Sequence, residues 1–333
     1  MTAFKHARRF VLALGCAATL AGIIPAAQAQ APKDLGSVSL GWTKTTAAMS
    51  VIMAEKIAPK YGLKIESVVF NNAVDISTAM VSGQIEVGLL TSAHLVRAVE
   101  TNLDFVQIAG NSRGNVTIIA SSKLGLAPGD WAGLKAANQK KKLRIASSRG
   151  SINELLSIAT FAKYGLDANK DFELTNIAAF AQHAQALRSG EFDLVFSTEP
   201  NGTQMVGEGI GVLFSKTDVT DAGSLHTVFA VKRDWLAKND AKAKALLMAL
   251  KEAAEWLNAD PARTAAEAAK TFPLPVPTLQ ESLKLNRWEL RLAVPETQAL
   301  ARIAAEQKFA TKDVSAQIPA AMDASVLKSV GVE

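Results

Sequence analysis

Short apolar runs alternate along this chain with longer stretches of helical spacing, and the whole alternation occurs twice. Residues 38–41, 65–70 and 86–90 have the compact apolar character of buried strands, as do residues 143–147, 173–176 and 193–197. Between the first and second run of each set, apolar positions fall three and four apart, which predicts helices over 46–59 and 151–163. Each helix leads into the same four letters, Lys60-Tyr61-Gly62-Leu63 and Lys163-Tyr164-Gly165-Leu166, with glycine placed to cap it. The third run of each set follows a Ser-Gly turn, SGQIEVGLLTS at 82–92 and SGEFDLVFSTE at 189–199. Strands that alternate with helices imply parallel βαβ units with right-handed crossovers. Two such units predict an α/β chain of two doubly wound parallel-sheet lobes.

The segments around the repeat predict how the lobes are joined. Residues 105–109 and 116–121 read as strands linked by Asn111-Ser112-Arg113-Gly114-Asn115, and 225–231 reads as a strand that follows the second unit. The chain is therefore expected to leave lobe one near Ser121 and to return near Leu225, making a two-segment hinge. Lobe one comprises 30–121 and 225–333, and lobe two 122–224. Helices are predicted at 234–259, 261–271, 279–290 and 295–308, with a proline-stiffened connector at 272–277. Leu246, Leu247, Leu250, Ala254 and Leu257 follow helical spacing and read as core.

Composition narrows the function classes. Lys5, Arg8 and Arg9, the apolar stretch 10–24 and Ala27-Gln28-Ala29 before Gln30 have the layout of a secretory signal peptide over residues 1–29. The apolar stretch is shorter than the ~20 residues that span a bilayer. Gly15-Cys16 resembles the end of a lipobox, but Ala13 stands where that signal wants leucine, so general secretion to the periplasm is the reading adopted. Cys16 is the only cysteine of the 333 residues, so the mature chain has no disulfide, Cys-ligated zinc or thiol nucleophile. More than half of the formal +5 charge belongs to the signal segment, and no basic stripe suggests nucleic acid as a partner. A monomer without cofactor or metal is expected.

In open parallel sheets, ligands bind beyond the carboxyl ends of the strands. Four polar strand-to-helix joints are candidates: Trp42-Thr43-Lys44-Thr45, Thr91-Ser92, Ser148-Arg149-Gly150-Ser151 and Thr198-Glu199-Pro200-Asn201. Each opens a helix, where unpaired N–H groups and the helix dipole favour an anion. The candidate contacts are Trp42, Lys44, Thr45, Thr91, Ser92, Arg149, Gly150, Ser151, Glu199 and Asn201. Arg113, in the loop before the hinge strand, is a second candidate cation. Arg149-Gly150-Ser151 offers a guanidinium, a flexible backbone and a helix start to a carboxylate, sulfonate or phosphate. Trp42 offers an aromatic face for a flat or apolar ligand body. Each joint also reads as an ordinary helix cap, and Ser151-Ile152-Asn153-Glu154 is a capping box.

The signal segment, the SGQIEV turn, the RGS helix start, the SGEFDLVFSTEP segment and the LLMALKEAAEWLNADP helix together resemble the periplasmic solute-binding proteins of nitrate/sulfonate/taurine-type ABC transporters. The resemblance spans nearly the whole mature chain, departing at a longer segment over 136–142. It implies the type II periplasmic binding architecture, a small-molecule ligand, and an ABC permease and its ATPase as membrane partners. It also implies ligand contacts from Trp42, Thr45, Thr91, Ser92, Arg149, Gly150, Ser151 and Glu199. Family members take nitrate, bicarbonate, sulfonates, taurine, aromatic carboxylates or thiamine-precursor pyrimidines, and the Trp42–Arg149 pair leans toward a small organic anion. The alternatives are a thiamine-pyrimidine binding protein or enzyme on the same fold, and a ligand sensor for a membrane receptor. Against an enzyme, the mature chain lacks H-E-x-x-H and G-x-S-x-G, and its histidines are His94, His183 and His226.

Overall fold

The computed structural model describes residues 33–218 and 220–332, so the expected signal segment and Cys16 lie outside the described residues. No helix among the described residues is long and apolar enough to cross a membrane. The strands in chain order are β1 (Ser37–Thr43), β2 (Lys64–Phe70), β3 (Val87–Thr91), β4 (Phe105–Gly114), β5 (Val116–Ser121), β6 (Arg144–Ser147), β7 (Glu173–Asn176), β8 (Leu194–Thr198), β9 (Gly211–Lys216), β10 (Leu225–Lys232) and β11 (Asn286–Trp288). The first helices are α1 (Met49–Ile57), α2 (Ala73–Ser82), α3 (Ser92–Glu100), α4 (Trp131–Lys140), α5 (Ile152–Lys163), α6 (His183–Ser189) and α7 (Asn201–Gly207). They are followed by α8 (Arg233–Lys238), α9 (Asp240–Ala259), α10 (Pro261–Ala268), α11 (Val276–Leu283), α12 (Val294–Glu306) and α13 (Ser325–Ser329).

The two sheets repeat one another. The first has the order β11-β4-β10-β3-β1-β2 and the second β7-β6-β8-β5-β9. Within them, β1 pairs in parallel with β2 and β3, and β6 pairs in parallel with β7 and β8. The first strand of each copy is thus central, flanked by the second and third. The echoed letters do the same work in both copies. Gly62 and Gly165 follow the first helices with φ of 73° and 72°, and Gly83 and Gly190 follow the second with 77° and 76°. This left-handed region is costly for a residue with a Cβ. The echoed acids, Glu86 and Asp193, each accept a hydrogen bond from a backbone N–H of the central strand, Ser39 N at 2.8 Å and Arg144 N at 2.9 Å. That bond fixes where the third strand starts.

Outside the repeats the expectations need correcting. The sheets are mixed, not wholly parallel: β10 runs antiparallel between β3 and β4, and β5 antiparallel between β8 and β9. Each of these strands arrives directly from the other sheet, which reverses its direction. The expected 111–115 loop is largely strand, because β4 continues to Gly114, and β5 already belongs to the second sheet. The chain therefore crosses at Asn115 and not near Ser121. The predicted 279–290 helix ends at Leu283, and Asn286–Trp288 pairs with β4 as an edge strand.

The first sheet packs on the C-terminal helices: Leu40, Met49, Phe229, Leu246, Leu250 and Trp288 share one apolar cluster. The second is built round Phe161, whose ring lies edge-on to Trp131, Phe172 and Phe196 at 5.2–5.3 Å between centroids. A further cluster joins Ala93 and Val96 of α3, Ile152 and Leu155 of α5, and Leu300 and Ala304 of α12. Helices that follow strands of both sheets thus share one apolar core beside the crossing.

Candidate functional site

A cavity of about 260 Å³ lies where the carboxyl ends of the parallel strands of both sheets meet. The β1 joint contributes Thr43 and Thr45, the β3 joint Thr91 and His94, the β6 joint Ser148 to Ser151 with Asn153, and β8 contributes Thr198. Because β10 is antiparallel, its first residues lie at this same end and add His226 and Thr227. A wider hollow of about 830 Å³ shares Val74, His94, Arg149 and Gly150 with the cavity and continues to Arg97, Glu154, Lys170 and Lys308.

Of the residues expected from the sequence, Thr45, Thr91, Arg149, Gly150 and Ser151 line the cavity, whereas Trp42, Lys44, Ser92, Arg113, Glu199 and Asn201 do not. β1 runs on to Thr43, so Trp42 is a strand residue on the same face as Val38 and Leu40, buried with them in the core. Lys44 is exposed. Ser92 is fully buried and its Oγ donates to the carbonyl of His226 at 3.3 Å, so it positions a lining residue from behind. Arg113 belongs to β4, is ion-paired with Glu289 and with Glu296 (2.8 Å), and lines a separate hollow with Lys216 and Asn286. The Glu199 carboxyl is buried beside Thr117 and the N–H of Thr203, facing another hollow lined by Gly202, Val206 and Pro277. Burial pushes its pKa up, against the opposing hydrogen bonds. Asn201 opens α7 outside the cavity lining.

Two joints escaped the sequence reading. Asn72 to Asp75 after β2, and Asn176, Ala178 and Phe180 after β7, also line the cavity. A signal for them existed, since the repeat contains a strand-to-helix joint after its second strand too, and Asn72 followed by Asp75 is a cap pattern. Asn72 Oδ1 indeed accepts from the N–H of Asp75 at 2.9 Å.

The electrostatics differ from a bare anion seat. Ser151 caps α5, its Oγ accepting from the N–H of Glu154 at 3.2 Å. The Glu154 carboxylate turns back and accepts from the N–H of Gly150 at 2.7 Å and from Nη1 of Arg149 at 3.0 Å. Arg149 Nη2 reaches the carbonyl of Leu174 at 3.4 Å, and the Arg149 N–H donates to Asn176 Oδ1 at 3.1 Å. Burial raises the pKa of Glu154, while Gly150 and Arg149 pull the other way. Burial also lowers His94 and His226 to about 4, so both imidazoles are neutral near pH 7. Thr91 Oγ1 and His94 Nδ1 lie 2.7 Å apart as a hydrogen-bonded pair. Thr198 Oγ1 is buried in the lining without a partner in the protein, the kind of group a bound solute satisfies.

Comparison with known proteins agrees with this architecture. The nitrate-binding protein NrtA of Synechocystis superposes with a TM-score of 0.77 at 19% identity, over 90% of this chain and 89% of that one. The alkanesulfonate-binding protein SsuA of Xanthomonas axonopodis, solved with MOPS, gives 0.73 at 20% identity over 87% and 98%. Among curated relatives, the bicarbonate-binding protein CmpA of Synechococcus elongatus is 31% identical over 130 residues, 37% of this chain and 28% of its own length. The match covers less than two thirds of each curated relative. The structural likeness establishes a periplasmic-binding-protein fold. With residues 31–272 matched by its family model, the chain belongs to the NMT1-like family.

Proposed function

We propose that this protein is the periplasmic receptor of an ABC importer, capturing a small polar solute in the cavity between its two sheets and passing it to a permease and its ATPase. The observation that carries the reading is the convergence of all six parallel-strand ends on one cavity. Contacts from both sheets supply the differential affinity that favours a closed, loaded state. Relatives named for bicarbonate, nitrate and alkanesulfonate support the receptor reading. They, and the helix starts at the cavity, also favour the small organic anion expected from the sequence. The pairing of Arg149 with Glu154 favours a polar solute without net charge. The role is binding rather than catalysis.

A thermal-shift screen of the mature chain against periplasmic-size solutes tests the reading, since a bound ligand raises Tm by mass action. Thr198→Val is then expected to weaken the best hit about three- to tenfold, the worth of one neutral hydrogen bond. Its Tm without solute should stay level or rise, because the substitution removes an unpartnered buried hydroxyl. Calorimetry showing unchanged affinity would remove Thr198 from the site. Uptake of the hit that does not depend on this protein and its permease would refute the transport role.

A further inference from the structure

We infer that Glu154 sets the ligand class of this receptor: its carboxylate occupies the anion seat at the start of α5, so the cavity selects an uncharged polar solute and rejects anions. The inference rests on the receptor reading above.

The seat is the place an anion would choose, with a guanidinium, a glycine N–H and a helix start within one turn. In this chain its guanidinium and its glycine N–H are already committed. Glu154 takes the N–H of Gly150 at 2.7 Å and Nη1 of Arg149 at 3.0 Å, and Ser151 is engaged in capping the same residue. Arg149 is the only cationic residue among those lining the inner cavity, the two lining histidines being held neutral by burial. The pair is asymmetric in a telling way. The Glu154 side chain is 3% exposed and fixed in the first turn of α5, whereas that of Arg149 is 49% exposed. An arriving anion would have to draw Arg149 away and leave a buried carboxylate without its counter-charge, which is strongly unfavourable. It would also approach a like charge, since the Glu154 carboxylate lies 3.0 Å from the guanidinium that the anion would seek.

What remains for a solute is neutral and two-sided apart from Asp75, whose carboxylate accepts from Asn72 Nδ2 at 3.0 Å and adds a second negative charge to the lining. Thr45 and Thr198 offer hydroxyls, Asn153 its amide oxygen, Asn176 its amide NH2, and His94 and His226 uncharged rings. These groups both donate and accept, as an uncharged molecule bearing carbonyl, hydroxyl or amide groups requires. Selection against a competing class by a repulsive group built into the site is a common source of specificity.

The test uses the mature chain, wild type and Glu154→Gln, with sodium nitrate, sodium methanesulfonate and sodium benzoate as anion probes and benzamide as the uncharged counterpart of benzoate, at constant ionic strength and pH 7.5. Wild type is expected to show no saturable calorimetric signal with the three anions. Glu154→Gln, which frees Arg149 while keeping an acceptor for Gly150, should bind at least one of them at least about tenfold more tightly, the effect of one charge-assisted hydrogen bond. Glu154→Asp, which keeps the charge, should show no such gain, and circular dichroism checks that both variants fold. Wild type binding an anion as tightly as Glu154→Gln, or a folded Glu154→Gln that gains nothing, overturns the inference; if the variant does not fold, the wild-type titrations alone decide it. The receptor reading fails separately, if neither an uncharged nor a charged member of a broad solute library binds any of the three proteins.

Discussion

Replacing Gly114 by alanine is expected to cost at least about 4 kcal/mol, in the range reserved for severe backbone or core damage. Gly114 ends β4 with φ +85°, and a Cβ built on it would lie 1.8 Å from the carbonyl oxygen of Leu285 and 2.9 Å from its carbonyl carbon. The obstacle is backbone, so no side-chain rotation relieves it. Nor is the backbone free to move. The Gly114 N–H donates to Ser224 O at 2.7 Å and the Asn115 N–H to Leu285 O at 2.9 Å, so three chain segments are tied at this crossing. Gly129 provides the control, with φ +73° and nothing within 4 Å of its would-be Cβ. Gly129→Ala should lose only the ~1–2 kcal/mol of left-handed strain. Urea unfolding of both variants measures the difference. Equal stabilities would show that the crossing is not a fixed point of the fold.

Acid should destabilise the protein already above the ordinary carboxylate range. His226 is 3% exposed, with Nδ1 3.4 Å from Ser112 Oγ, and burial lowers its pKa from 6.5 to about 4. The unfolded chain takes up this proton near pH 6.5 and the folded chain does not. The stability is therefore complete above pH 6.5 and is lost as pH falls towards 4. For His226 the loss is about 3 kcal/mol. His94 is displaced equally, but solvent partly reaches it and its share is smaller. Glu154 and Glu199 act with the opposite sign: their raised pKa values impose a penalty above the folded pKa that is relieved as pH falls. Glu252 and Glu267 are held below 4.5 by their lysine partners and contribute only in stronger acid. The expected result is that His226→Gln shrinks the stability difference between pH 7 and pH 4.5 by about 2–3 kcal/mol in urea titrations. An unchanged pH profile would mean that water reaches the ring.

The repeat was legible because its letters carry local backbone constraints. A left-handed glycine after a helix, or an acid that anchors the next strand, is set by residues a few positions away, as at Gly62, Gly165, Glu86 and Asp193. Four of the six parallel-strand joints at the cavity could be read for the same reason, while those after β2 and β7 were passed over. Sequence spacing misplaced residues whose fate depends on distant chain. Trp42 turned inward because β1 continues beyond the expected joint, and Asn286–Trp288 became a strand because β4 offered it an edge. The capping box around Ser151 and Glu154 could be read directly, but the carboxylate's second engagement, with Arg149 and Gly150, needed the folded turn.

The interleaved strand order carries a consequence for how the molecule is assembled. The second sheet is drawn wholly from residues 116–216 and can zip up as soon as that stretch has been made. The first cannot, because β10 is the wedge between β3 and β4, and both lack a neighbour until residue 232 is available. The earliest-made strands are therefore the last to be completed, with the facing edges of β3 and β4 open to mispairing in the interval and the outer edge of β4 open until β11 is made. For the same reason, no single cut in the gene yields the first half as a finished piece.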